Sequence, residues 1–138
     1  MASSRQQTGM RGVYLVAAEL AARGYIVSPT SRSASGADLL VTNQSGTRAF
    51  SVEVKTNGTA RTFWLVSKKA RRLASPSLVY VFVNIGRDER VQEYFVVPSK
   101  IVTTNVRTYP RKNSTWYAIG SQRVSRYRAR WSVFGRAN

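Results

Sequence analysis

The chain has 138 residues, 43% of them apolar, enough for a single domain with a core of ordinary size. It contains neither cysteine nor histidine, which excludes disulfides, thiolate and imidazole metal sites, and serine–histidine catalysis. With 22 Lys+Arg against 6 Asp+Glu its net charge is +16, which argues for a polyanionic partner, most simply nucleic acid.

Residues 1–8 read as a flexible polar lead without the apolar core of a signal peptide. No apolar run approaches the roughly 18 residues that would span a membrane, so a cytoplasmic protein is expected, with one domain over residues 9–138. A first helix is predicted from about Gly9 to Arg23, with Val13, Val16, Ala17 and Leu20 on its core face and Gly24 closing it. A short strand follows at Tyr25 to Ser28, then a Ser-rich loop holding Arg32, then a strand over Ala37 to Thr42. Asn43 to Gly46 forms a hairpin turn into a third strand, Arg48 to Lys55.

Thr62 to Val66 reads as an edge strand, and Ser67 can cap a short basic helix from Lys68 to Ala74, stopped by Pro76. Leu78 to Ile85 is apolar almost throughout, the mark of a central strand buried on both faces. Val91 to Val97 is the next strand and Pro98 to Lys100 a helix start. Trp116 to Ile119 is a further strand. Ser121 to Trp131 is a helical tail, with Val124, Tyr127 and Trp131 inward and arginines over much of the remainder. Trp64 is expected in core or edge packing, with base stacking as the alternative. Trp116, Tyr117 and Trp131 are expected to seal the tail against the sheet.

The chemistry lies in Phe50-Ser51-Val52-Glu53-Val54-Lys55. Phe50, Val52 and Val54 fall on one face of the strand; Ser51, Glu53 and Lys55 fall on the other. A second acid, Asp38, opens the preceding apolar strand. Solubility does not explain an acid inside an apolar strand pattern. The plain alternative for both is an ion pair, Glu53 with Lys55 or Asp38 with an arginine. Glu19 reads as the i,i+4 partner of Arg23.

Asp38, a one-turn spacer and then Glu53-x-Lys55, behind a helix ending Arg23-Gly24-Tyr25, resembles the PD-(D/E)XK nuclease superfamily. The motif order is that of archaeal Holliday junction resolvases and of small bacterial members of unassigned role, over about residues 9–97. The resemblance implies an α/β, restriction-endonuclease-like fold, a central mixed sheet flanked by helices. It implies a site in which Asp38, Glu53 and the backbone carbonyl of Val54 hold Mg²⁺ or Mn²⁺, hard cations that prefer oxygen. Lys55 would then stabilise charge developing on a phosphodiester undergoing hydrolysis. The resolvase-like members carry a glutamate early in the first helix, where Val13 stands here.

The expected partner is DNA before RNA, held through Arg11, Arg32, Lys68, Lys69, Arg71 and Arg72 by contacts that give affinity without sequence readout. A homodimer would suit the cutting of two strands, though no sequence signature marks one. The alternative function is a non-catalytic nucleic-acid-binding module on the same fold. A ribonucleoprotein subunit comes third, and a membrane-surface role last.

Overall fold

The first helix starts earlier than its apolar pattern predicts, because its cap reaches further out. The Ser4 hydroxyl accepts from the Gln7 N–H (3.1 Å), and the Gln7 side chain accepts from the Ser4 N–H (3.0 Å). This reciprocal capping box satisfies two of the open donors at the helix start. Helix α1 therefore spans Arg5–Ala22, and residues 5–8, expected as lead, form its first turn. Its end is a Schellman motif. Gly24 takes φ +94°, its N–H donates to the Ala21 carbonyl (3.0 Å), and the Tyr25 N–H donates to the Leu20 carbonyl (3.1 Å). The computed structural model describes residues 4–31 and 36–138.

Among the described residues eight strands follow: β1 (Ile26–Pro29), β2 (Leu39–Thr42), β3 (Ala49–Asn57), β4 (Phe63–Val66), β5 (Leu78–Ile85), β6 (Val91–Pro98), β7 (Arg107–Pro110) and β8 (Thr115–Gly120). The main sheet runs β1-β2-β3-β5-β6. Its β3–β5 pair is parallel and the others are antiparallel, so the sheet is mixed. Strand β5 is an interior strand between β3 and β6, buried on both faces, as its almost wholly apolar run predicts. On one face of the sheet, Val13, Val16 and Leu20 of α1 pack on Val41, Val52 and Val81. Trp131 and Phe134 from the carboxyl-terminal segment complete that layer.

The other face is covered by a second, three-stranded sheet in the order β4-β8-β7, with helix α2 (Ser99–Asn105) and a 3₁₀ helix (Ser121–Tyr127) beside it. Trp64, Phe82, Phe95, Val102 and Ile119 form this second core. Trp64 belongs to it fully, and its indole N–H donates to the Val83 carbonyl at 3.0 Å. The cover stops short of β2, where Leu40 stays half exposed.

Three segments differ from expectation. Strand β7 was not predicted; all four of its residues are exposed, so no apolar face announces it. The basic turn Lys68–Arg71 is 3₁₀ rather than α. The predicted tail helix over 121–131 is a 3₁₀ helix followed by a break and a second 3₁₀ turn, Trp131–Phe134. Val124 and Tyr127 lie three apart, a spacing that fits three residues per turn as well as 3.6. Ala129 (φ +50°) then leaves helical geometry, and its N–H donates to the Tyr94 carbonyl at 2.7 Å. The tail thus covers the open edge of β6, where Arg128 also bridges Phe95.

One buried amide ties the two sheets together. Asn84 Nδ2 donates to the Arg61 carbonyl (2.9 Å) and to Glu93 Oε1 (3.1 Å), while its Oδ1 accepts from Asn57 Nδ2 (3.0 Å) and the Arg61 N–H (3.3 Å). This holds the turn between β3 and β4. Asn84→Leu keeps the volume and strands those partners, so a loss of about 2–3 kcal/mol is expected in urea unfolding.

Candidate active site

Strand β3 runs past the end of β2, and the site forms where its partner gives out. The Asp38 N–H donates to the Val52 carbonyl at 2.8 Å, although Val52 is already in register with Leu39. Two consecutive residues thus face one, as in a β-bulge. The bulge turns the Asp38 side chain along the ladder, and its Oδ2 accepts the Val54 N–H at 2.8 Å. A carboxylate stands where the next strand carbonyl would be. Because a strand residue's N–H and C=O point to the same side, the Val54 carbonyl faces the same gap.

Glu53 and Lys55 point to the face of the sheet that β4 only partly covers. Glu53 is buried, at 6% exposure. Its Oε1 lies 3.2 Å from Lys69 Nζ and its Oε2 lies 3.8 Å from Lys55 Nζ. Its cross-strand partner is Tyr80. Burial, with a smaller effect of the Glu53 carboxylate, pushes the Tyr80 hydroxyl up to about 12. Tyr80 is therefore a neutral neighbour at neutral pH.

Asp38, Glu53, Val54, Lys55 and Lys69 line one open groove of about 740 Å³. Arg5 and Arg61 line it too, so its two acids meet four cations. Val13 lines it from α1, on the side of Asp38. The oxygen donors along this groove are the Asp38 and Glu53 carboxylates, with the Val54 carbonyl directed to the gap beside Asp38. They are of the type that suits Mg²⁺ or Mn²⁺. Among the described residues, no cluster of three or more acids is present. Water and substrate oxygens would complete the shell, as Mg²⁺ commonly requires.

The other expected contacts divide. Lys68, Arg71 and Arg72 are exposed on the turn that carries Lys69, and Arg71 lies over the Tyr117 ring at 5.6 Å. Arg11 is turned to the β5–β6 connection, where it pairs with the carboxylate and carbonyl of Glu89, and it does not line the groove. Arg32 lies outside the described residues. Glu19 pairs with Arg23 at 3.5 Å, as its spacing predicts. Arg5 and Arg61 were not foreseen. The Ser4-x-x-Gln7 signal would have placed Arg5 on the helix; nothing local marks Arg61.

The fold has counterparts among solved structures. The chain is similar to a bacterial homing endonuclease, I-Ssp6803I, with a TM-score of 0.62 at 13% identity over 96% of this chain and 91% of that one. It is also similar to Hjc, a Holliday junction resolvase of the archaeal hyperthermophile Archaeoglobus fulgidus, with a TM-score of 0.53 at 12% identity over 85% and 87%. The chain has the restriction-endonuclease-like fold. No family model and no curated protein matches the sequence. In this restriction-endonuclease-like chain the strand pair that carries Asp38, Glu53 and Lys55 opens onto the groove.

Proposed function

We propose that the protein is a metal-dependent nuclease that hydrolyses phosphodiester bonds in DNA, with Asp38, Glu53 and Lys55 as its catalytic set. The observation that carries this reading is one groove lined by both carboxylates, with Asp38 bonded to the Val54 N–H, and by the cations Arg5, Lys55, Arg61 and Lys69. A chain of net charge +16 keeps only six acids, and two of them stand here.

A bound Mg²⁺ or Mn²⁺ would supply Lewis-acid polarisation of the phosphoryl oxygen and a water of lowered pKa. The remaining work falls to the chain. Asp38 is locked by the Val54 N–H, so one of its oxygens is fixed and the other is left toward the gap. Glu53 holds the ammonium groups of Lys55 and Lys69 on the floor of the groove. Once the carboxylate turns to a cation, those ammonium groups are free to face the non-bridging phosphate oxygens, where positive charge stabilises the developing negative charge. Arg5 and Arg61 grip flanking phosphates, which fixes the strand without reading its sequence.

A second reading is a non-catalytic DNA-binding module. It is favoured by one contact, the closing of Glu53 by Lys69 and Lys55, which satisfies the acid without a metal. Labelled linear, nicked and four-way-branched DNA should separate the two. Metal-dependent cutting by the wild type that Asp38→Ala and Lys55→Ala abolish, with binding retained, is the expected result. Salt-sensitive binding with no cutting in either metal would leave only the binding module. The pattern of substrates cut would settle whether branched DNA is preferred.

A further inference from the structure

The three-stranded sheet has a second face that the core does not use. Strand alternation sends Trp64 and Val66 inward and leaves Phe63 and Leu65 outside, 39% and 46% exposed. Across the register, Ala118 sits opposite Leu65, and Gly120 opposite Phe63. Tyr109 and Trp116 face each other on the same side, 47% and 45% exposed. Trp116, expected to seal the tail, therefore faces solvent; Tyr117 and Ile119, one and three residues further along β8, take the inward positions. Ala118 is itself buried, at 6% exposure, so the result is a shallow apolar platform made by Leu65 and three aromatic rings.

Two features say what lies on it. Phe63, Leu65 and Trp116 also line the groove that holds Glu53 and Lys55, so platform and groove are one surface. Every charged residue on this sheet, in the turn before β4 and in the turn between β7 and β8 is positive: Arg61, Arg107, Arg111 and Lys112, with Arg111 stacked over Trp116 at 4.8 Å. The segments 54–87 and 94–138 contain no acid at all. A second copy of this chain would meet the platform with the same positive charge and no carboxylate to answer it. A polyanion with flat apolar faces answers both the charge and the rings.

We propose that this platform binds the unstacked bases of a single-stranded DNA segment that leaves the groove. Its rings take successive bases by stacking, which tolerates any sequence, while Arg107 and Arg111 hold the backbone. The protein would then favour DNA in which paired and unpaired segments adjoin. This rests on the nucleic-acid reading of the groove and not on its catalysis.

Fluorescence anisotropy in EDTA, where no metal-dependent cutting occurs, tests it with three probes: oligo-dT, a blunt duplex, and that duplex carrying an oligo-dT tail. Trp116→Ala and Tyr109→Ala are each expected to weaken oligo-dT and the tailed duplex on the order of ten- to a hundred-fold. With Tyr109→Ala, which lies outside the lining of the groove, the blunt duplex should bind as before, and Trp116→Phe should keep most of the tail affinity. Equal weakening of all three probes, or of none, would overturn the proposal. So would a dimer in sedimentation that Trp116→Ala dissociates without a tail-specific loss. If the wild type binds no probe in a salt-sensitive way, the nucleic-acid reading of the groove fails, and this one with it.

Discussion

Glu53→Gln is expected to lower single-turnover cleavage on the order of 10²- to 10³-fold while DNA binding is kept or tightened. The substitution preserves shape at a buried position (6% exposed) and removes only the charge. That charge does two things in the proposed mechanism: it would ligate the divalent ion and it holds two ammonium groups. Lys55 and Lys69 keep 29% and 39% of their side-chain exposure, so water compensates them when the carboxylate is gone. The cost in stability is therefore small, in the range of solvent-screened pairs. Binding moves the other way, because the groove gains one unit of positive charge toward phosphate. Circular dichroism and anisotropy beside the cleavage assay separate these effects. Unchanged cleavage would place the chemistry outside this groove; parallel loss of cleavage, binding and fold would make Glu53 a structural residue only.

Gly12→Ala is expected to destabilise the protein by about 2–3 kcal/mol, seen as a fall of roughly 10 °C in Tm. In an exposed helix the same change is worth up to about 1 kcal/mol in the opposite direction. The sign is decided by contact. A Cβ at Gly12 would sit 1.7 Å from Thr56 Oγ1 and 2.7 Å from Thr56 Cβ. No rotamer of Thr56 moves its own Cβ, so α1 must lift from β3 or β3 must bend. Thr56→Ala in the same chain should recover only part of the loss, and Thr56→Gly more of it. Cleavage should fall as well, since α1 carries Arg5 and Val13 to the groove. A neutral or stabilising Gly12→Ala would mean that helix and sheet are further apart than this packing.

How much of this was legible depended on whether a residue's role is set by its neighbours in sequence. Strand β3 could be read because its two faces differ at every step, and the parity that put Glu53 and Lys55 together survives in the fold. The hairpin then brought β2 beside it in the expected order. The bulge at Asp38 left no trace, because it depends on where β2 stops pairing and not on any residue type. Lys69 was legible as a basic residue near the site but not as the nearer partner of Glu53; that contact arises from a 3₁₀ turn packed through Ala70. Trp116 was misplaced for want of one parity choice: Ile119, the surest core residue of β8, fixes Trp116 on the outer face. The tail misled for a different reason, since Val124, Tyr127 and Trp131 suit a helix until Ala129 is drawn to the backbone of β6.

The carboxyl-terminal segment has a kinetic consequence. Phe134 packs against Tyr25 and Phe50, Tyr25 donates its hydroxyl to the Gly135 carbonyl, and Arg48 donates to the Arg136 carbonyl. The layer between α1 and the sheet is thus closed by residues synthesised well after both. On the ribosome, the hairpin bearing the acids emerges long before the wedge that seals its underside. A nascent chain halted near residue 120 exposes the seats of Trp131 and Phe134 as bare apolar surface, which is a target for chaperones and for misassembly. Until residues 131–136 have been made, the layer beneath that hairpin stays open.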